Sequence, residues 1–108
     1  MDIQLKRGLL ETCVLAVLKK NDSYGYQIVK DLSQCLEISE STLYPILKRL
    51  ELAKCLEVYT IEHNSRLRKY YKITAEGLNK LQEFDQDWSE LEKVHDFIMN
   101  RRDENNYE

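Results

Sequence analysis

The chain has 108 residues, 43% of them hydrophobic, with three Gly, one Pro and a formal net charge of −3. That length suits one domain of the common size of ~100–150 residues, with apolar material for one modest core. So little Gly and Pro excludes a turn-rich β-sandwich or a long flexible linker and favours helices.

Charge is unevenly spread. Residues 1–76 hold 12 Lys/Arg against 10 Asp/Glu, whereas residues 77–108 hold 4 against 9. Arg66, Arg68, Lys69 and Lys72 fall within 63–74, where no acidic residue occurs. Phosphate binding depends on local charge, so a basic tip on an acidic chain is a competent nucleic-acid footprint. Cys13, Cys35 and Cys55 are odd in number and form no CxxC pair, and His63 and His95 lie far from them in sequence. No zinc site, metal or cofactor is expected. Cys13 and Cys35, in apolar runs, are expected as buried, reduced thiols of a cytoplasmic protein. No stretch reaches the roughly 18 apolar residues of a membrane span.

A first helix is expected from about Gln4 to Lys20. Leu5, Leu9, Leu10, Cys13, Val14, Leu15, Ala16, Val17 and Leu18 cover most of its circumference, which implies burial on more than one side and packing on a partner chain. Asn21-Asp22-Ser23 ends it. Ser23 is expected to cap a second helix, from Tyr24 to about Cys35, that turns Ile28, Val29, Leu32 and Cys35 inward. After Leu36-Glu37-Ile38, cap residues return at Ser39-Glu40-Ser41. A third helix then runs to about Ala53 with Leu43, Ile46, Leu47 and Leu50 on one face. Two short helices joined tightly, the second strongly amphipathic, have the layout of a helix-turn-helix.

Residues 55–62 alternate as a strand, and 69–74 are rich in aromatic and β-branched residues. His63-Asn64-Ser65 between them reads as a turn, making an antiparallel hairpin with a basic tip, which is a wing. A last helix, capped by Thr74, is expected from about Ala75 to Asn100, followed by a polar, frayed tail over 101–108. The fold class is therefore mostly α with a small β-hairpin. Residues 1–74 form a winged helix-turn-helix unit and 75–100 a C-terminal helix of the same compact body.

On the third helix Ser41, Pro45 and Lys48 point away from the apolar face, flanked by Thr42, Tyr44 and Arg49. Hydroxyls, a phenol and two cations suit phosphate oxygens and base edges in a major groove. With Ser41 as the cap, Pro45 falls at the fourth helical position, where its cost is limited. A functional role for its ring and a tolerated helix-start proline are both compatible with that position.

Residues 41–51, Ser-Thr-Leu-Tyr-Pro-Ile-Leu-Lys-Arg-Leu-Glu, resemble the signature of the PadR family of transcriptional regulators. Leu9-Leu10 and the apolar run to Leu18, Ser23-Tyr24-Gly25-Tyr26-Gln27-Ile28, and Arg68–Gly77 with its Tyr-Tyr-Lys-Ile-Thr run are similar to further family segments, in order. The resemblance spans roughly residues 5–100. It implies a dimeric winged-helix repressor of the short, single C-terminal helix type. From the outer face of the third helix and the basic wing, the residues expected to meet double-stranded operator DNA are Ser41, Thr42, Tyr44, Lys48, Arg49, Arg66, Arg68 and Lys69. Two departures stand out. Lys54 occupies a position where the family usually has glycine, and the wing tip lacks the family's Gly and Pro.

In the last helix Leu81, Trp88 and His95 repeat every seven residues, as do Phe84, Leu91 and Ile98, in the manner of a coiled-coil seam. Leu78, Val94 and Phe97 widen the stripe. A homodimer is expected through Leu9, Leu10, Leu81, Phe84, Trp88, Leu91, His95 and Ile98, its symmetry suiting a pseudo-palindromic site. Trp88 reads either as an interface anchor or, by the resemblance, as the wall of an effector pocket for a small flat aromatic. His95 reads as a pH-sensitive dimer contact or as a solvated histidine. No Gly-rich phosphate loop, nucleophile–base pair or metal cluster marks an enzyme. The alternative from another class is a winged-helix module for protein–protein interaction without DNA binding.

Overall fold

A computed structural model describes residues 1–101. Its elements are α1 (Ile3–Lys20), α2 (Gly25–Leu32), α3 (Glu40–Leu52), β1 (Leu56–His63), β2 (Arg66–Ile73) and α4 (Ala75–Ile98). The expected tail over 101–108 lies, from residue 102 onward, outside the described residues.

One core joins the first five elements. Val14, Leu15 and Leu18 of α1, Ile28 of α2, and Leu43, Leu47 and Leu50 of α3 are almost wholly enclosed, and Leu56 and Tyr71 close the core from the hairpin. The inward stripe expected on α3 is therefore the buried one. α1 is apolar around much of its circumference, and four of its apolar residues, Leu10, Val14, Leu15 and Leu18, are consumed inside its own chain. Its first turn is left bare, with Ile3 and Leu5 exposed, as is Met1 just before it.

Ser23 does not cap α2. It is buried and exchanges two backbone hydrogen bonds with Tyr71, donating at 3.2 Å and accepting at 2.8 Å, as a one-residue third strand of the sheet. Tyr24 takes the cap position without a side-chain hydrogen bond. α2 also stops at Leu32, three residues before Cys35, where the Ser33 hydroxyl donates to the Lys30 carbonyl at 2.6 Å and competes with helix continuation. Cys35 is consequently exposed and Cys13 half-buried, so only Cys55 is an enclosed thiol.

α3 begins two residues earlier than a Ser41 cap would place it. The Ser39 hydroxyl accepts the Thr42 N–H at 3.2 Å and is the cap. Pro45 is then the sixth helical residue, exposed as the wheel requires. α3 leaves through Lys54, whose φ of 65° is left-handed; the Cys55 N–H donates to the Leu50 carbonyl and the Lys54 N–H to Glu51. That pair of bonds is a Schellman ending made with lysine in the place that glycine usually takes.

β1 and β2 pair antiparallel from Leu56↔Ile73 to His63↔Arg66, so only Asn64 and Ser65 form the turn. Both have positive φ, 54° and 64°, as a type I′ hairpin turn demands. The wing thus has a defined register without glycine at its tip, and His63 belongs to β1. α4 starts as expected: the Thr74 hydroxyl accepts the Gly77 N–H at 3.1 Å and donates to the Lys54 carbonyl at 2.7 Å. A side chain on Gly77 would meet the Cys55 carbonyl at 2.6 Å, so this crossing needs glycine. Only Leu81 and Phe84 of the expected seam are even partly covered; beyond them α4 projects from the body, which measures 69 × 26 × 21 Å overall.

Candidate nucleic-acid interface

The start of α2, the start of α3 and the hairpin enclose a groove of about 760 Å³, lined by Gly25, Glu40, Tyr44, Arg66, Arg68 and Lys69 among others. Arg66, Arg68 and Lys69 of β2 therefore border the groove beside the helix that carries Leu-Tyr-Pro, with Arg66 and Arg68 on one face of the hairpin and Lys69 on the other. Tyr44 is half-exposed in this groove and donates to Glu40 Oε1 at 3.0 Å. Burial, then the bond to Glu40, pushes the Tyr44 phenol up from its ordinary range. The opposite wall is Gly25, where a Cβ would lie 2.6 Å from the Tyr44 oxygen. Glycine at the head of α2 therefore makes room for the phenol.

The hairpin is held by aromatic side chains. Tyr59 and Tyr70, paired across the strands, stack at 5.7 Å, and Tyr70 meets Tyr24 at 5.4 Å. Arg68 lies 4.0 Å from the Tyr24 ring centroid, a cation–π contact that fixes its charge beside the head of α2. The Tyr59 hydroxyl donates to Asp22 Oδ2 at 2.6 Å, tying β1 to the loop before α2.

The expected DNA residues do not all share this surface. Tyr44, Arg66, Arg68 and Lys69 line the groove; Ser41 and Lys48 are exposed on α3. Thr42 faces a second hollow, bounded by Ile3, Lys6, Pro45 and Arg49. Arg49 reaches back to α1, its Nε 3.0 Å from Glu11 Oε2, while Lys80 of α4 stands 3.8 Å from Oε1. The Arg49 side chain nonetheless stays about half exposed, at 48%. Glu40, Gly25, Tyr24 and the Tyr59–Asp22 pair were not legible as site residues. Only Glu40 carried a signal, its four-residue spacing to Tyr44, which puts both on one helix face.

The residues expected at a dimer contact fall into two groups. Leu10 is enclosed by its own core, so of the adjacent leucines only Leu9 keeps accessible surface. Leu81 and Phe84 are partly covered, whereas Trp88, Leu91, His95 and Ile98 are exposed. Trp88 stands 6.2 Å from Phe84 and borders a hollow of about 320 Å³ with Leu91, Glu92, His95, Asp96 and Arg101. His95 Nδ1 is 3.8 Å from Asp96 Oδ1. No group of metal-ligating side chains occurs among the described residues, and none of the helices is long and apolar enough to cross a membrane.

A tri-helical body with a two-stranded wing and a trailing helix defines the winged-helix class. Residues 14–83 match the model of the Transcriptional regulator PadR-like family, and the chain belongs to that family. Its members are transcriptional regulators, not enzymes. The chain is 42% identical to a crystal structure from Streptococcus mutans UA159, covering 86% of this chain and 89% of that one at a TM-score of 0.74. It is 36% identical to a PadR family transcriptional regulator from Eggerthella lenta, covering 90% and 87% at a TM-score of 0.81. It is 25% identical to Bacillus subtilis PadR, solved in complex with operator DNA, covering 70% of this chain and 46% of that one at a TM-score of 0.66.

Proposed function

We propose that the chain is a cytoplasmic, sequence-specific DNA-binding repressor that acts as a homodimer and is released by a small aromatic effector. The observation that carries the DNA reading is the groove beside the outer side of α3 that Arg66, Arg68 and Lys69 of the wing border. Operator DNA on the related Bacillus subtilis protein supports it. α3 enters the major groove with Ser41, Tyr44 and Lys48 outward, and the wing cations neutralise backbone phosphates. The acidic α4 stays away from the duplex.

The dimer reading rests on bare apolar surface. Leu91, Val94, Phe97 and Ile98 are each at least half exposed on α4, Phe97 by 72%. A continuous apolar stripe of this kind marks an association surface. A second copy of α4 covers it and sets two recognition helices about one helical turn of DNA apart. The effector reading rests on the Trp88 hollow, whose aromatic wall suits a flat ring and whose two carboxylates, Glu92 and Asp96, stand beside one cation, Arg101.

Duplexes selected by the protein from a random pool test the central claim. Affinity for them should fall steeply with salt, with a log–log slope near −0.9 per phosphate contacted. A salt-independent response, or no selected duplex, overturns it in favour of a protein-interaction module.

A further inference from the structure

The groove between wing and α3 contains one carboxylate among its cations, and the carboxylate is held. Glu40 is the first residue of α3, where the N-terminal end of the helix dipole favours a negative charge. That position suits an acidic residue at a helix start but does not account for its place in a groove that faces a polyanion. Tyr44 holds Oε1 at 3.0 Å, and Tyr44 is in turn seated against the Cβ-less Gly25. Among the described residues Oε2 has no hydrogen-bond partner. One oxygen is therefore fixed and the other is free at the end of the helix that a helix-turn-helix presents to base edges.

Building on the reading of α3 as the DNA-reading helix, we infer that Glu40 is a specificity-determining residue that accepts a hydrogen bond from the N4 amino group of a cytosine in each half-site. The chemistry selects that base. Guanine presents N7 and O6 and thymine O4 to the major groove, all acceptors that repel a carboxylate. Adenine offers its N6 amino group but sets the N7 acceptor beside it. Cytosine presents its amino donor with no neighbouring acceptor of its own. Beside phosphates the carboxylate lowers affinity for every duplex, and only a cytosine at this position compensates. Tyr44 is the positioning residue that aims it, and Gly25 leaves the space that Tyr44 needs.

Selection from a random duplex pool, run in parallel with the wild type and three variants, tests this. The wild type should enrich cytosine at one position per half-site by about tenfold, in line with the discrimination of one base contact. Glu40→Ala should make that position indifferent, keep the rest of the consensus and bind nonspecific duplex more tightly. Glu40→Gln, which keeps the acceptor for Tyr44 and adds an amide donor, should move the preference from cytosine toward adenine. Gly25→Ala, which displaces the Tyr44 phenol, should weaken the cytosine preference without creating a new one. An unchanged consensus in both Glu40 variants overturns the inference and leaves Glu40 as a support for Tyr44. If the wild type selects no duplex, the DNA reading fails and this inference falls with it.

Discussion

The Tyr59 hydroxyl donates to Asp22 Oδ2 across 2.6 Å and thereby ties the first strand of the wing to the loop before α2. The two residues are 37 positions apart, so the bond fixes the wing's angle against the helix-turn-helix. The hydrogen bond to Asp22, followed by partial desolvation and the Asp22 charge, pushes the phenol up to about 12. Only the protonated phenol donates. Its folded value lies above the ordinary value near 10, so its contribution to stability is complete below pH 10 and disappears as pH rises towards 12. Melting curves of the wild type and Tyr59→Phe should differ by a constant amount up to about pH 10 and converge above it. Curves that stay parallel to pH 12 would show that the bond does not survive in solution.

Arg68 and Tyr24 separate charge from placement. Arg68→Ala should reduce the magnitude of the salt slope of DNA binding by about 0.9, the value for one phosphate contact. Tyr24→Leu keeps the charge but removes the ring beneath it, so the slope should hold while affinity falls about two- to fivefold, the scale of an exposed cation–π contact. An undiminished slope in Arg68→Ala would place that side chain away from phosphate.

Thr74 and Lys54 set the junction behind the wing. Thr74→Ala removes both the cap of α4 and the bond to the Lys54 carbonyl and should cost about 1–2 kcal/mol in denaturant unfolding, with Thr74→Ser close to wild type. Lys54→Gly relieves a left-handed residue of about 1–2 kcal/mol but gives the unfolded chain more freedom. The net result should be a stabilisation of about 0.5–1 kcal/mol. A destabilised Lys54→Gly would mean that the lysine side chain itself supports the exit.

Leu91→Glu with Phe97→Glu places charge in the bare stripe of α4. Sedimentation should show a monomer where the wild type is a dimer, with helix content retained and operator affinity lost. An assembly unaffected by both changes would put the contact elsewhere.

Trp88 is the sole tryptophan, so its emission reports directly on the hollow beside it. Flat aromatic cations should quench it in a saturable way, and Glu92→Gln with Asp96→Asn should weaken that binding. If no compound of a broad panel quenches it, Trp88 serves only as an anchor.

The fold was legible because its signals are local and mutually consistent. Leu43, Ile46, Leu47 and Leu50 give a 3.6-residue stripe, and Thr74 with Glu76 marks a helix start that the structure places at the same residue. Element ends slipped by two or three residues for local reasons, at Ser33 and Ser39, whereas other departures were decided by partners distant in sequence. Ser23 has the chemistry of a cap, but Tyr71, 48 positions later, claims its backbone. Asn64 and Ser65 lack the glycine that usually announces a hairpin turn, yet both residues adopt positive φ once the strands pair. Within the candidate site, the outward placement of Tyr44 and Lys48 was legible because the helix period alone decides it. The ion pair of Arg49 was not legible, because Glu11 is 38 positions away and on another helix.

The junction at Thr74 also makes α4 a lever. Its 24 residues extend roughly 36 Å at 1.5 Å per residue, so a tilt of about 5° at the base moves the far end by ~3 Å. Thr74 holds that fulcrum to the end of α3, and Lys80, near Glu11, braces the first turns against α1. Small rotations at this pivot therefore translate into ångström-scale displacements of whatever grips the distal end.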